Sequence, residues 1–275
     1  MSKKITIDHV EIHLSEPDDL PLEWVGRGEL LAQLSAAWMM VDPADVPMNP
    51  RLIGKPGVGK TTLAYAAGRV LGRKIYLFQA TMDTRPEDLV VTPVVGPSGS
   101  IQYAASAIVS AMVEGGVAIL DEGNRMSEKS WASLAPLLDR RRYVESLVAG
   151  VKIRAHGDFR FVATMNDDAS TFDLPEYIHS RLMPMIVIDF PEADEELAIL
   201  KQNLPFSNEQ VLRYVVDFLQ TAHAHDEPFT VRDGVNVARY AIKRAKQSNR
   251  PLSRANVLEA ICRTLGDEAT RYLKD

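Results

Sequence analysis

The sequence predicts an α/β chain: a parallel five-stranded sheet covered by helices on both faces, followed by a small all-helical region. Three observations carry this. Between residues 51 and 190, short apolar runs of strand length alternate with amphipathic stretches of helical period. Beyond Pro191 the strand-like runs stop and only helical periodicity remains. The first of the short runs leads into a glycine-rich turn that opens a helix, Gly54-Lys55-Pro56-Gly57-Val58-Gly59-Lys60-Thr61.

Taken in order, residues 5–14 alternate in polarity and predict one edge strand. An amphipathic helix is expected over Leu30 to Met40. Pro43, Pro47 and Pro50 then mark a loop and shorten the next strand to Arg51–Ile53, because proline donates nothing to a ladder. A helix over 62–71 and an apolar strand over 74–79 follow. Residues 90–103 hold Pro93, Gly96-Pro97 and Gly99 among β-branched residues, which is hairpin or loop chemistry. Helices are expected over 104–114 and 127–140, flanking a strand over 117–120. A second hairpin is predicted over 142–155, turning near Ala149-Gly150, and buried strands over 159–164 and 185–190. The helical region reads as 193–203, 209–223, 231–247, 254–265 and 267–273. The composition shift at Pro191 divides the chain into a core, 1–190, and a helical lid, 191–275.

The glycine-rich turn fits G-x-x-x-x-G-K-[ST] throughout, the pattern of a phosphate-binding loop. Its glycines adopt dihedrals that a Cβ forbids. Successive backbone N–H groups then point into one concavity that favours an anion, and the helix that follows adds its positive dipole end. Lys60 supplies a cation for the β and γ phosphates of a nucleotide, and Thr61 a hydroxyl for Mg²⁺.

The second half of such a site is Val117-Ala118-Ile119-Leu120-Asp121-Glu122, an apolar strand ending in two carboxylates. Strand side chains alternate, so the two acids point different ways from one strand end. Asp121 suits Mg²⁺ and Glu122 suits a water attacking the γ-phosphate. Phe161-Val162-Ala163-Thr164-Met165-Asn166 is another strand ending in a polar residue, and Asn166 could hold that water or a γ-phosphate oxygen.

Composition narrows the classes. The chain has 275 residues, is 46% hydrophobic and carries a net charge of −6. Such a balance disfavours a protein whose main task is to coat nucleic acid, and the basic run Arg140-Arg141-Arg142 lacks aromatic stacking partners. The apolar stretch from Tyr103 to Leu120 is broken by Glu114 and Gly115-Gly116, so no membrane span is expected. Lone Cys262, the alternating start and the scattered histidines predict a cytoplasmic protein without disulfides or a structural metal site. His223 and His225 lie two apart on a predicted helix and do not share a face.

With these motifs in this order, the chain resembles the AAA+ ATPases, a P-loop NTPase family built as an αβα sandwich with a helical lid. Within them it resembles the MoxR group and the related CbbQ/NorQ and dynein-related types. Val25-Gly26-Arg27 resembles the entry segment whose backbone flanks the adenine. Pro86-Glu87-Asp88-Leu89 with the first hairpin resembles an insert in the second core helix, and the 142–155 hairpin an insert before sensor 1. Asp121-Glu122-Gly123-Asn124-Arg125 resembles the MoxR Walker B string. Asn166 matches sensor 1, His179-Ser180-Arg181-Leu182 the segment bearing the arginine finger, and Thr230-Val231-Arg232 sensor 2. Leu182 stands where the family often has Phe.

The resemblance implies ATP/ADP and Mg²⁺ as ligands. Nucleotide would be held by Val25, Gly26, Gly54, Pro56, Gly57, Val58, Gly59, Lys60, Thr61 and Thr62, with Arg232 from the lid. Glu122, Lys60, Asn166 and Arg232 would act in one subunit and Arg181 in trans on its neighbour, with Arg140–Arg142 as substitutes for that finger. Metal would be held by Thr61 and Asp121. A homo-oligomeric ring, a hexamer by resemblance, is expected to remodel or activate a protein client, with a von Willebrand factor A domain protein as a common partner of the group. A nucleotide-dependent assembly scaffold of low turnover is the alternative, and a DNA-acting motor or loader a weaker one.

Overall fold

The computed structural model describes residues 3–96, 99–167, 173–249 and 251–273. Residues 97 and 98, in the turn of the first predicted hairpin, lie outside the described residues. The chain starts with a hairpin, β1 (Lys4–Ile7) and β2 (Val10–His13), where one strand is expected over 5–14. Asp8 and His9 adopt φ of 46° and 70° and reverse the chain. A two-residue turn with both central residues at positive φ matches the twist of the strands it joins.

Helix α1 (Gly28–Trp38), strand β3 (Arg51–Gly54), helix α2 (Lys60–Val70) and strand β4 (Ile75–Gln79) follow. The short helix α3 (Pro86–Leu89) precedes the first hairpin, β5 (Val91–Val95) and β6 (Ile101–Ala105). This hairpin joins the N-terminal one in a four-stranded sheet, order β1-β2-β6-β5. Helix α4 (Ala107–Glu114) starts where the Ser106 hydroxyl accepts a hydrogen bond from Val109 N at 3.1 Å, three residues later than the periodicity predicts. Strand β7 (Val117–Asp121) is buried on both faces as far as Leu120.

Helix α5 covers Glu128–Leu134, half of the predicted 127–140. Ala135 still has helical dihedrals, φ −53° and ψ −41°, but Pro136 has no N–H to bond back to Ala132 O, and the ladder breaks there. The second hairpin is β8 (Tyr143–Ser146) with β9 (Val151–Arg154). Strand β10 (Arg160–Asn166), helix α6 (Glu176–His179) and strand β11 (Met185–Val187) complete the first half.

The main sheet has the order β11-β3-β10-β7-β4, all parallel. Every strand therefore presents its carboxyl end on one edge, where ligands of open α/β sheets bind. The register sets Asn166 beside Gly54 and Ala163 beside Leu120. Ile119, Leu120, Phe161 and Val162 fill the centre with at most 1% exposure, and the Trp38 indole donates to Phe161 O at 2.9 Å.

The chain divides into two compact units. One is Met1–Trp24, Gly28–Gly54 and Lys60–Val187; the other is Val25–Arg27, Lys55–Gly59 and Ile188–Asp275. In the second, α7 (Ala193–Asn203), α8 (Glu209–His223), α9 (Val231–Gln247) and α10 (Arg254–Leu265) fall on the spans the periodicity predicts. The last segment is a 3₁₀ turn, Asp267–Tyr272, rather than an α-helix. Val215, Leu219, Val237, Ala241 and Ile261 form its core. No helix among the described residues is long and apolar enough to cross a membrane.

Gly116 lets β4 and β7 come together. A Cβ there would lie 2.6 Å from Lys74 O, the acceptor of the 2.8 Å bond from Val117 N, and 3.0 Å from Tyr76 Cε2. Backbone cannot yield as a flexible side chain does. Gly116→Ala is expected to cost about 1–3 kcal/mol of stability, and denaturant unfolding would show it.

Candidate active site

The glycine-rich turn leaves β3 at Gly54 and enters α2 at Lys60. Gly57 and Gly59 adopt φ of 86° and 97°, a region that side chains rarely enter. Gly57 is also crowded: a Cβ would lie 2.6 Å from Thr230 Oγ1 and 3.4 Å from Arg232 Cβ. Within the second unit, then, the loop backbone runs directly against the start of α9, where Arg232 stands. Thr230 is that helix's N-cap, and its N and Oγ1 donate to Asp233 Oδ2 at 2.8 and 2.9 Å. The entry segment belongs to the same unit. Arg27 Nε lies 3.4 Å from Glu195 Oε2, and Nη2 donates to Phe190 O at 3.4 Å.

In the first unit, the polar groups meet at the carboxyl edge of the sheet. Lys60 is only 6% exposed, and its Nζ donates to Gly54 O at 2.8 Å. Thr61 Oγ1 donates to Asp121 Oδ1 at 2.7 Å. Thr164 Oγ1 donates to the same oxygen at 2.5 Å and accepts from Glu122 N at 3.2 Å. One carboxylate oxygen thus joins α2, β7 and β10.

Glu122 has φ 55° and ψ 38°, a left-handed conformation that an ordinary side chain pays for in strain. The turn aims its carboxylate back across the strand ends. There Asn166 Nδ2 donates to Oε1 at 3.2 Å and Arg125 Nε to Oε2 at 2.5 Å. Asn124 braces this arrangement: its Nδ2 donates to Asn166 O at 2.8 Å and its Oδ1 accepts from Asn166 N at 3.3 Å.

These groups fit Mg²⁺ and a nucleotide. Thr61 and Asp121 offer hard oxygen donors side by side, which is what Mg²⁺ takes. A buried lysine ammonium resting on a neutral carbonyl favours an incoming phosphate.

Arg181 is elsewhere. Asn49 Nδ2 donates to Arg181 O at 3.4 Å and to Leu138 O at 3.0 Å, and Asn49 precedes the first residue of β3. Arg181 therefore sits at the amino end of the sheet, ~16 Å of strand away from Gly54. Its Nη1 donates to Tyr177 O at 2.8 Å and its Nε lies 3.4 Å from Asp139 Oδ2. Asp139 also takes Arg141 Nε and Nη2, and these bonds hold its carboxyl below the usual range. A cleft of about 280 Å³ opens here, lined by Val46, Leu138, Arg140, Arg142 and Arg181 among others.

The structure thus gathers Lys60, Thr61, Asp121, Glu122 and Asn166 in one unit, and Gly57 with Arg232 in the other. It sets Arg181 apart from the first group. Thr164, Asn124 and Arg125 take roles that the sequence pattern does not assign. Thr164 had a signal: it lies two residues before Asn166 on one strand, hence on the same face.

A family model described as the AAA domain (dynein-related subfamily) matches residues 51–182. An uncharacterized protein of Staphylococcus epidermidis is 24% identical over 175 residues, 62% of this chain and 66% of its own. One of Staphylococcus aureus is 23% identical over 179 residues, 63% of this chain and 68% of its own. The chain spans just under two thirds of the first relative's length. Among solved structures, the RuvB Holliday junction branch migration motor of Thermotoga maritima superposes with TM-score 0.60 at 16% identity, covering 86% of this chain and 69% of that one. The ORC2 protein of Aeropyrum pernix gives 0.57 at 15% identity, covering 91% and 69%. These likenesses show a shared fold, the P-loop NTPase fold of the AAA+ type with a helical C-terminal region.

Thr164→Val removes one donor to Asp121 and leaves Glu122 N–H without its acceptor. The expected result is about 1–3 kcal/mol less stability, with weaker Mg²⁺-dependent nucleotide binding in calorimetric titration.

Proposed function

We propose that the protein binds and hydrolyses ATP with Mg²⁺, and that it works as a ring of MoxR type that remodels or activates a protein client. The observation that carries this is the oxygen of Asp121 shared by Thr61 and Thr164, with Glu122 and Asn166 alongside. A solvated acidic turn has no need of two hydroxyls directed at one carboxylate.

Each residue then has a task. The loop N–H groups from Gly57 to Thr62 cradle the phosphates. Lys60 swings from Gly54 O to the β and γ phosphates. Thr61 and Asp121 hold Mg²⁺, which when bound offsets phosphate charge and fixes the geometry of the phosphates. Glu122 accepts a proton from the attacking water, and Asn166 orients that water. Val25 and Gly26 flank the base. Arg232 approaches the γ-phosphate from the start of α9, beside the loop residue Gly57 that it already packs near.

Arg181 acts in trans on this proposal, supplying positive charge to a neighbour's γ-phosphate. Its position at the opposite end of the sheet leaves no such role within its own subunit. A head-to-tail contact of this kind closes into a ring where the rotation permits, with a hexamer the family expectation. A protein client, with a von Willebrand factor A domain partner, is proposed on resemblance alone.

One observation favours a second reading, a low-turnover assembly scaffold. Both oxygens of Glu122 are already engaged, one by Arg125 and one by Asn166. A glutamate so held has neither oxygen free to take a water until a partner or ligand draws Arg125 away. The DNA motor has less support, since the net charge is −6 and the likeness to RuvB is one of fold.

Glu122→Gln is expected to lower ATP turnover by about 10²-fold or more while nucleotide binding persists. Unchanged steady-state hydrolysis would remove Glu122 from its role. Mixing Glu122→Gln with Arg181→Ala subunits should restore part of the activity, because one interface type then carries both intact groups. No recovery in co-assembled rings would count against a finger in trans.

A further inference from the structure

Behind the start of α9, inside the second unit, lies a buried polar cluster that the nucleotide chemistry does not use. Glu196 of α7 is 0% exposed. Gln220 of α8 donates from its Nε2 to Glu196 Oε2 at 2.9 Å and to Pro191 O at 3.1 Å. Glu196 Oε1 has no hydrogen-bond partner among the described residues, and it faces His223 Nδ1 at 3.8 Å. The His223 ring stacks on Phe190, with centroids 3.9 Å apart and planes 8° from parallel. Its other nitrogen, Nε2, lies 2.6 Å from Phe229 O.

The hydrogen-bond chemistry of these groups is constrained. A carbonyl only accepts, so His223 Nε2 carries the hydrogen toward Phe229 O. In a neutral imidazole Nδ1 is then a lone pair aimed at Glu196. An ionised Glu196 would set two acceptors against each other in a dry pocket, which is costly. One proton between Oε1 and Nδ1 removes the conflict, whichever atom holds it. Burial pushes the Glu196 carboxyl up to about 7, and burial also lowers His223. Both effects put the proton on the carboxyl, where it removes the charge that would face Nδ1 across 3.8 Å.

Charged groups on the adjoining elements are engaged elsewhere. Arg27 lies 3.8 and 3.4 Å from Glu192 and Glu195, and Asp233 caps α9 through Thr230. His225 Nδ1 is 2.8 Å from Thr221 O, and Glu227 accepts from the Tyr272 hydroxyl and lies 3.6 Å from Arg271.

What the pair holds in place gives it consequence. Phe229 directly precedes Thr230, the N-cap of α9, and Thr230 and Arg232 pack against Gly57 of the phosphate loop. His223 therefore joins the Phe190–Pro191 linker to the segment on which the phosphate loop leans. We propose that Glu196 and His223 share one buried proton and act as positioning residues for the Phe229–Arg232 segment, so that ATP use responds to pH through groups that never touch the nucleotide. The kinetic part rests on the ATPase function proposed above.

The direction follows from linkage. A carboxyl whose folded value is raised binds a proton that the unfolded chain has already released. Its contribution to stability is full below the ordinary glutamate range and is lost as pH rises through about 7. Above that pH the carboxylate repels the lone pair, the segment loosens, and the KM for ATP rises.

The test compares wild type with Glu196→Gln from pH 6 to 8.5, reading both the KM for ATP and the unfolding midpoint. Glutamine keeps an acceptor for Gln220 and offers His223 a donor that does not titrate. In wild type, KM is expected to rise about 3- to 30-fold across the range, the size of an ordinary indirect coupling, and the midpoint to fall. In Glu196→Gln both are expected to stay flat near the acid-limb values. His223→Phe, which keeps the stack and loses both nitrogens, should raise KM at every pH and also remove its pH dependence. A Glu196→Gln protein with the wild-type pH profile in both measurements overturns the shared proton. A flat midpoint with a wild-type KM profile overturns the positioning role. Absence of ATP turnover in wild type at every pH instead sinks the ATPase function, and the midpoint alone then decides the proton.

Discussion

One carboxylate oxygen organises the carboxyl edge of the sheet. Asp121 Oδ1 receives the hydroxyl of Thr61 from α2 and that of Thr164 from β10. The three elements come from residues 60–70, 117–121 and 160–166, so the contact exists only when the parallel register is right. A one-residue slip of β10 would turn Thr164 and Asn166 to the other face together. The apolar strands β7 and β10 set that register by burying both faces, and the hydroxyl–carboxylate contacts form at the end of it. In this sense the chemistry is a consequence of packing.

Around that oxygen the molecule stores strain and holds a buried charge. Glu122 sits at positive φ, Gly57 and Gly59 hold a loop that other residues could not, and Lys60 is buried against a neutral carbonyl. Such features persist where the surrounding structure over-determines them. Here β7 and β10 do so on one side of Glu122 and the Asn124–Asn166 double hydrogen bond on the other. The phosphate loop has its own support, because Gly57 packs on Thr230 and Arg232. The Glu196–His223 pair extends that support by one more layer, to the linker at Phe190.

Legibility in the sequence followed locality. The phosphate loop and the Asp121-Glu122 strand end are short contiguous patterns, and they occupy the expected places at the ends of β3 and β7. The helices at 193–203, 209–223, 231–247 and 254–265 were readable because long apolar periodicity is bounded by cap residues such as Asn208, Thr230 and Ser253. Residues 5–14 misled, since the Asp8-His9 turn sits inside an alternating pattern without glycine. The helix after β7 was overextended because its period runs through Pro136. The contacts of Thr164, Asn124 and Glu196 reach partners 27 to 43 residues away, and no local pattern says which partner each one meets. The place of Arg181 at the far end of the sheet is likewise a property of strand order.

Thr61 and Asp121 are proposed as the oxygen site for the metal of a nucleotide. Calorimetric titration of the wild-type protein with ATP, with Mg²⁺ and then with chelator in its place, isolates that role. The expected result is saturable one-site binding that weakens about tenfold or more without the metal, a change of roughly 1.4 kcal/mol. Equal affinity in the two conditions, or no binding in either, would contradict it.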